Sequence, residues 1–283
     1  MLVTFVIAGL LLTAAVSALM MLMNGMSLSE LMDMSQKGVV DFSPGLTRGL
    51  LAVQHIFTFI IPGLAFGFLF YRPNLWKGMD LGHHPGLTLV ILGIFFLLAA
   101  YPLVNLGFLV NEAIPLPSWA ISFEDQAEDT LKAILDMKSP GIFLINLLLI
   151  AILPGIGEEL IFRGILQKEI SKILHSPIAA IWIAAFIFSA IHLQFEGFIP
   201  RMALGAVLGY LYYWTGNLWV PMIVHAFNNG IQVVLIYTTG MDPTALDQEG
   251  SDQLQGWMIL LSVVVMYVLY YQIVIKRKPV EQA

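Results

Sequence analysis

Residues 2 to 23 contain no charged side chain, and further stretches of about 20 mostly apolar residues recur along the chain, the length an α-helix needs to cross a bilayer core of about 30 Å. In hydrocarbon every backbone polar group must be satisfied internally, which leaves helices or a closed barrel. Long unbroken apolar runs, rather than short alternating ones, select helices. The expected fold is therefore all-α: a polytopic membrane protein with about eight transmembrane helices and a single membrane domain over residues 1–283. The first run lacks a basic leading segment and a small-residue cleavage site, so it reads as a retained helix and not a removed signal.

The expected spans are 2–23, 48–71, 87–111, 141–165, 177–195, 198–214, 217–238 and 256–275. Only 11% of the residues are charged, so where the charges fall says more than their net value of −6. Arg72 and Lys77 follow the second span, Lys168 and Lys172 the fourth, and Lys276, Arg277 and Lys278 the eighth. The opposite loops carry Glu30, Asp33 and Asp41, then Glu112, Glu124, Asp125, Glu128, Asp129 and Asp136, then Asp242, Asp247, Glu249 and Asp252. The positive-inside tendency places both termini in the cytoplasm. A bacterial inner membrane is the expected location, and a nucleic-acid partner is not expected. With no cysteine in the chain, disulfides, a thiol nucleophile and Cys-ligated metal are excluded.

Between residues 111 and 140, Leu131, Ile134 and Leu135 stand at helical spacing among acids, the pattern of an amphipathic helix beside the membrane. Apolar spacing from Ile165 to Leu174 extends the fourth helix toward the cytoplasmic interface. Gly205 and Gly209 form a small-x-x-x-small pair suited to close helix packing.

Against this apolar background, ionisable groups inside a span cost several kcal/mol and mark a site or a buried pair. The fourth span contains Gly157-Glu158-Glu159-Leu160-Ile161-Phe162-Arg163. Glu159 and Arg163, four apart, share a helix face and form an ion pair, giving them a structural, supporting role. Glu158 points about 100° away and has no partner in its own helix. Pro154, Gly155 and Gly157 just before it predict a kink that opens space for water. Two later spans add polar residues at the same spacing: Phe188 with His192, and His225 with Asn229, Asn228 being the rival to Asn229. Phe188 reads as packing. Gln54 and His55 interrupt the second span; an interhelical hydrogen bond is the expected reading, with the lining of a substrate path as the alternative. His83, His84 and His175 read as solvated.

If the three clusters meet, Glu158 and His192 can hold and deprotonate a water. His225 and the Asn229 amide can then donate to the oxyanion of a tetrahedral intermediate. A zinc site made by Glu158, His192 and His225 is the competing version, although the chain has no His-Glu-x-x-His motif. A proton-relaying transporter is a further alternative, but no internal repeat accompanies it. One geometric requirement follows. Counted along straight helices, His192 lies deeper from the cytoplasmic ends than Glu158 and His225, so the fifth helix must begin late, tilt or start below the interface.

Together Glu-Glu-x-x-x-Arg, Phe-x-x-x-His and His-x-x-x-Asn, in this order, resemble the CAAX-processing and bacteriocin-processing membrane protease family, which includes the CAAX prenyl endoproteases. The resemblance covers about residues 141–240, the expected catalytic core. It implies an intramembrane endopeptidase of a membrane-associated peptide or protein; the residue types favour the glutamate-based mechanism with no cofactor, zinc being the alternative. In that reading Glu158 and His192 activate water, while His225 and Asn229 bind the oxyanion. The family also includes members tied to bacteriocin immunity, so a non-hydrolytic immunity or scaffold role is the alternative.

Overall fold

The computed structural model describes residues 1–37, 42–242 and 255–275, of 33–37 the backbone alone. Asp41, Asp247, Glu249, Asp252, Lys276, Arg277 and Lys278, all used in the charge argument, lie outside the described residues, as does the side chain of Asp33. Among the described residues all regular structure is helical: α1 Leu2–Met23, α2 Leu28–Lys37, α3 Pro44–Phe70, α4 Leu75–Gly78, α5 Leu87–Glu112, α6 Ser118–Leu135, α7 Pro140–Leu174, α8 Pro177–Ala190, α9 Phe198–Thr215, α10 Trp219–Thr239 and α11 Gly256–Ile275. Three of them start on the same local device. Ser43, Ser139 and Ser176 each accept from the backbone N–H three residues on, with Pro44, Pro140 and Pro177 in the next position. Serine fills an orphan donor there, and proline supplies a preset φ where no N–H is needed.

Six helices, α1, α3, α5, α7, α10 and α11, are long and apolar enough to cross a membrane, which makes this an integral membrane protein. The expected count was eight. The two that fall short are α8, whose 14 residues extend about 21 Å, and α9, which carries Arg201 and the aromatic-polar stretch from Tyr210 to Thr215. The expected fifth span, 177–195, ends early, because the chain turns after Ala190 through Leu193, at φ 55.

The amphipathic helix is α6, with Ile134 and Leu135 buried. Arg48 at the start of α3 ties it down, donating to the Ile134 carbonyl at 2.5 Å and to Asn146 Oδ1 at 2.8 Å. Along α7 lie α3, α8 and α10, and the main core gathers Phe59, Phe66, Leu160, Phe162, Ile165, Phe188, Leu218 and Met222. A second core joins α5 to α9, α10 and α11. Lipid tails are as apolar as leucine, so close van der Waals packing of small residues carries helix association here. A β-carbon on Gly205 would stand 3.3 Å from Ala185 Cα, and one on Gly209 would stand 3.0 Å from Ile181 Cγ2. The small-residue pair thus sets the α8–α9 contact.

Candidate active site

Glycines also determine what surrounds the two glutamates. A β-carbon on Gly155 would lie 3.0 Å from both Ala226 N and Met222 O of α10, and one on Gly157 would lie 3.0 Å from Phe59 Cβ of α3. Bare backbone on either side of Ile156 therefore lets α10 and α3 close on α7 from two directions. Each brings a histidine. The His225 Nε2 stands 3.9 Å from Glu158 Oε2, and the His55 Nδ1 stands 3.9 Å from Glu158 Oε1. All three residues are buried. Both separations exceed a direct hydrogen bond. Among the described residues Glu158 has no hydrogen-bond partner, and the buried His55 Nδ1 has none either.

Glu159 is fully buried and accepts through one oxygen, Oε1, from Arg163 Nη1 at 2.6 Å and from His225 Nδ1 at 2.8 Å. Arg163 also donates from Nη2 to the Gly205 carbonyl at 2.7 Å and lies 5.0 Å over the Phe188 ring. The expected ion pair is thus present, and it does more than hold α7 to α9. A carboxylate oxygen only accepts, so Nδ1 of His225 carries a proton, and the ring is oriented with Nε2 toward Glu158. One imidazole links both glutamates, which the sequence had assigned to separate roles.

Phe188 lies at the meeting point of these groups. Its ring is edge-on to Phe162 at 5.1 Å, to His192 at 5.0 Å and to His225 at 6.0 Å. His192 is therefore brought beside the same ring as His225. It makes no ion pair with Glu158 among the described residues, and its Nδ1 donates to the Phe188 carbonyl at 2.7 Å, which leaves Nε2 as the acceptor in the neutral ring. The depth mismatch is removed by the length of α7, which runs on to Leu174: Glu158 lies 16 residues before that end (174 − 158) and His192 15 residues after the start of α8 at Pro177 (192 − 177), in the turn just past the helix end. The turn is clamped: Arg201 donates to Gln194 twice, Asn111 donates to the Phe195 carbonyl and accepts from Ile199 N, and Glu124 of α6 accepts from Phe195 N and Glu196 N.

Asn229 lies one turn from His225 on α10. Its Nδ2 donates to the Ile150 carbonyl at 3.0 Å, and its Oδ1 accepts from Asn228 Nδ2 at 3.1 Å. Asn228 in turn accepts from Tyr101 OH at 2.9 Å. The Ile150 carbonyl lies in a π-helical stretch, Leu147–Ile152, and a second such stretch, Phe162–Gln167, follows the glutamates. A third, Ile56–Ile60, begins directly after His55. Such wide turns disturb the regular ladder and recur at functional sites. At Pro154, where a kink is expected, the π stretch gives way to regular α-helix, and the glycines serve helix contact.

The donor set for zinc is not assembled. Among the described residues no group of three His, Asp or Glu side chains is placed to hold a metal ion.

All three motifs lie inside one segment with known counterparts. Residues 140–231 match the family described as type II CAAX prenyl endopeptidase Rce1-like. This Rce1-like segment starts at the first residue of α7 and ends on α10 two residues past Asn229, the region in which the resemblance was expected. The chain is also 36% identical over 84 residues to uncharacterized protein YpbD of Bacillus subtilis (strain 168), a match covering 28% of this chain and 40% of YpbD. No solved structure matches the chain. His55 lies outside the Rce1-like segment.

Proposed function

We propose that this protein is an intramembrane endopeptidase that hydrolyses a peptide bond in a membrane-associated protein or peptide without a metal. The observation that carries it is the buried Glu158 carboxylate facing His225 Nε2 at 3.9 Å while Glu159 holds Nδ1 of the same ring. Water attacks the scissile carbonyl carbon and its proton passes to Glu158, with His192 Nε2 as the second acceptor that orients the water. The resulting oxyanion is held by His225 Nε2–H and by the Asn229 N–H not used on Ile150. To donate from Nε2 as well as Nδ1, His225 carries both protons; the two carboxylates of Glu158 and Glu159 together balance the charges of His225 and Arg163, and the oxyanion takes over that balance once Glu158 is protonated. Collapse breaks the C–N bond, and Glu158 returns its proton to the leaving amine.

The reading places the protein in a bacterial inner membrane with both ends cytoplasmic and α8 and α9 as the fifth and sixth of eight crossings. Their packing against each other and α7 supports this, as does the cover that α6 gives the turn between them. Substrate enters from the cytoplasmic side or from lipid.

The test is cleavage of membrane-anchored reporter peptides by the purified protein in liposomes. Glu158→Gln keeps the shape and the hydrogen-bonding capacity but not the base, and is expected to lower kcat by about 10³-fold or more, at the upper part of the range for general-base catalysis, with thermal stability retained. Activity of the variant within tenfold of the parent overturns the mechanism. Persistent inactivity of the parent protein, with specific capture of a peptide partner, supports the immunity or scaffold role instead.

A further inference from the structure

We propose that His55, on α3 and outside the Rce1-like segment, is a third histidine of the hydrolytic centre, whose Nδ1 holds the attacking water against Glu158. The inference rests on the hydrolase reading above. Its basis is geometric. A charged or polar group within a span is costly unless it is partnered, yet His55 is 7% exposed and its Nδ1 is without a hydrogen-bond partner. That atom faces Glu158 Oε1 at 3.9 Å, too far for a direct hydrogen bond but within reach of one water about 2.8 Å from each. A water giving one proton to Oε1 and the other to Nδ1 keeps both lone pairs free for attack, and in this arrangement His55 Nδ1 takes the accepting place at the water that the hydrolase reading gives to His192 Nε2. His225 approaches the other oxygen, Oε2, at 3.9 Å. The two sides of the carboxylate are thus divided, water toward α3 and oxyanion toward α10.

The alternative for His55 is packing, since its ring lies 5.9 Å from that of Phe59. Two substitutions separate these roles. Asparagine places Oδ1 near the former Nδ1 position and keeps the acceptor while losing the ring. Phenylalanine keeps the ring and loses the acceptor. If His55 holds the water, His55→Phe lowers kcat by about 10²-fold or more with KM within about threefold of the parent, and His55→Asn recovers at least tenfold of that loss. Stability runs the other way, with His55→Phe melting at or above His55→Asn. A His55→Phe protein with parental kcat, one more active than His55→Asn, or a change confined to KM overturns the inference. Glu158→Gln measured alongside distinguishes the failures. If it is inactive while His55→Phe is active, the role of His55 alone falls. If the parent itself cleaves no reporter, the hydrolase reading falls and this role falls with it.

Discussion

Around the glutamates, an inner histidine environment of His55 and His225 and an outer one of His192 are built by different means. His55, at the edge of the π stretch in α3, and His225, within α10, project from helices pressed onto α7 at Gly157 and Gly155, and His225 is further locked by Glu159 and Arg163. His192 stands in a turn past the end of α8, and its position depends on clamps from α5, α6 and α9. Rigid elements hold a reacting geometry more tightly than turns do. The inner side is therefore suited to the bond-making atoms, whereas the outer side can adjust to what approaches it.

The comparison breaks most sharply at Arg163. Removing the guanidinium in Arg163→Met leaves the fully buried Glu159 without its ion partner, and breaking a buried pair in this way costs roughly 3–5 kcal/mol. Little folded protein is expected from membranes, as read by detergent extraction and size-exclusion recovery; normal recovery would show that His225 alone satisfies Glu159. Gly155→Ala comes next. Its methyl group would meet α10 backbone at 3.0 Å, and backbone cannot yield as a flexible side chain can. Pushing α10 away by a few tenths of an ångström carries His225 with it, so kcat is expected to fall by about 10²-fold with a stability loss of about 1–3 kcal/mol. An equal fall in kcat for an alanine at Gly141, where a β-carbon meets only Ser139 Oγ at 3.9 Å, would show that the effect is not one of helix approach.

Much of the inner side is legible in the sequence because its chemistry is local. Glu158, Glu159 and Arg163 occupy one helix, so 3.6 residues per turn already predict the ion pair and the divergence of Glu158. His55 is different. No residue near it in sequence signals a partner, since its neighbours in the site arrive from α7, and the close approach depends on a glycine about 100 residues later in the chain. The one available signal was its cost: an ionisable side chain within an apolar span is a functional hypothesis by default. The early end of α8 was equally hidden. No glycine or proline falls between Ala190 and Gly197, so the pattern runs on as a helix, and the turn at Leu193 is imposed by contacts from Asn111, Glu124 and Arg201. Hydropathy alone cannot express that override. The π stretches in α3 and α7 likewise have no residue signature of their own.

The smallest expected effect lies on the outer side and is a matter of pH. Burial and the neighbouring acids Glu124, Glu128, Asp125 and Glu112 push the Glu196 carboxyl above its usual 4.5. A group whose value is raised on folding favours the fold most when protonated, so its charge works against the turn at neutral pH, and the penalty fades as pH falls toward and through the raised value. The carboxylate of Glu124, which accepts from the amides of Phe195 and Glu196, is then relieved of a nearby like charge. Hydrogen exchange at those two amides should therefore be more protected in Glu196→Gln than in the parent at pH 7, with the difference shrinking toward pH 5 after correction for the intrinsic rate. The inner side should not respond, because its helices do not depend on this clamp. A parallel change in protection of the α10 backbone around His225 would mean that the two histidine environments move as one unit, and that the division between a rigid inner one and an adjustable outer one is wrong.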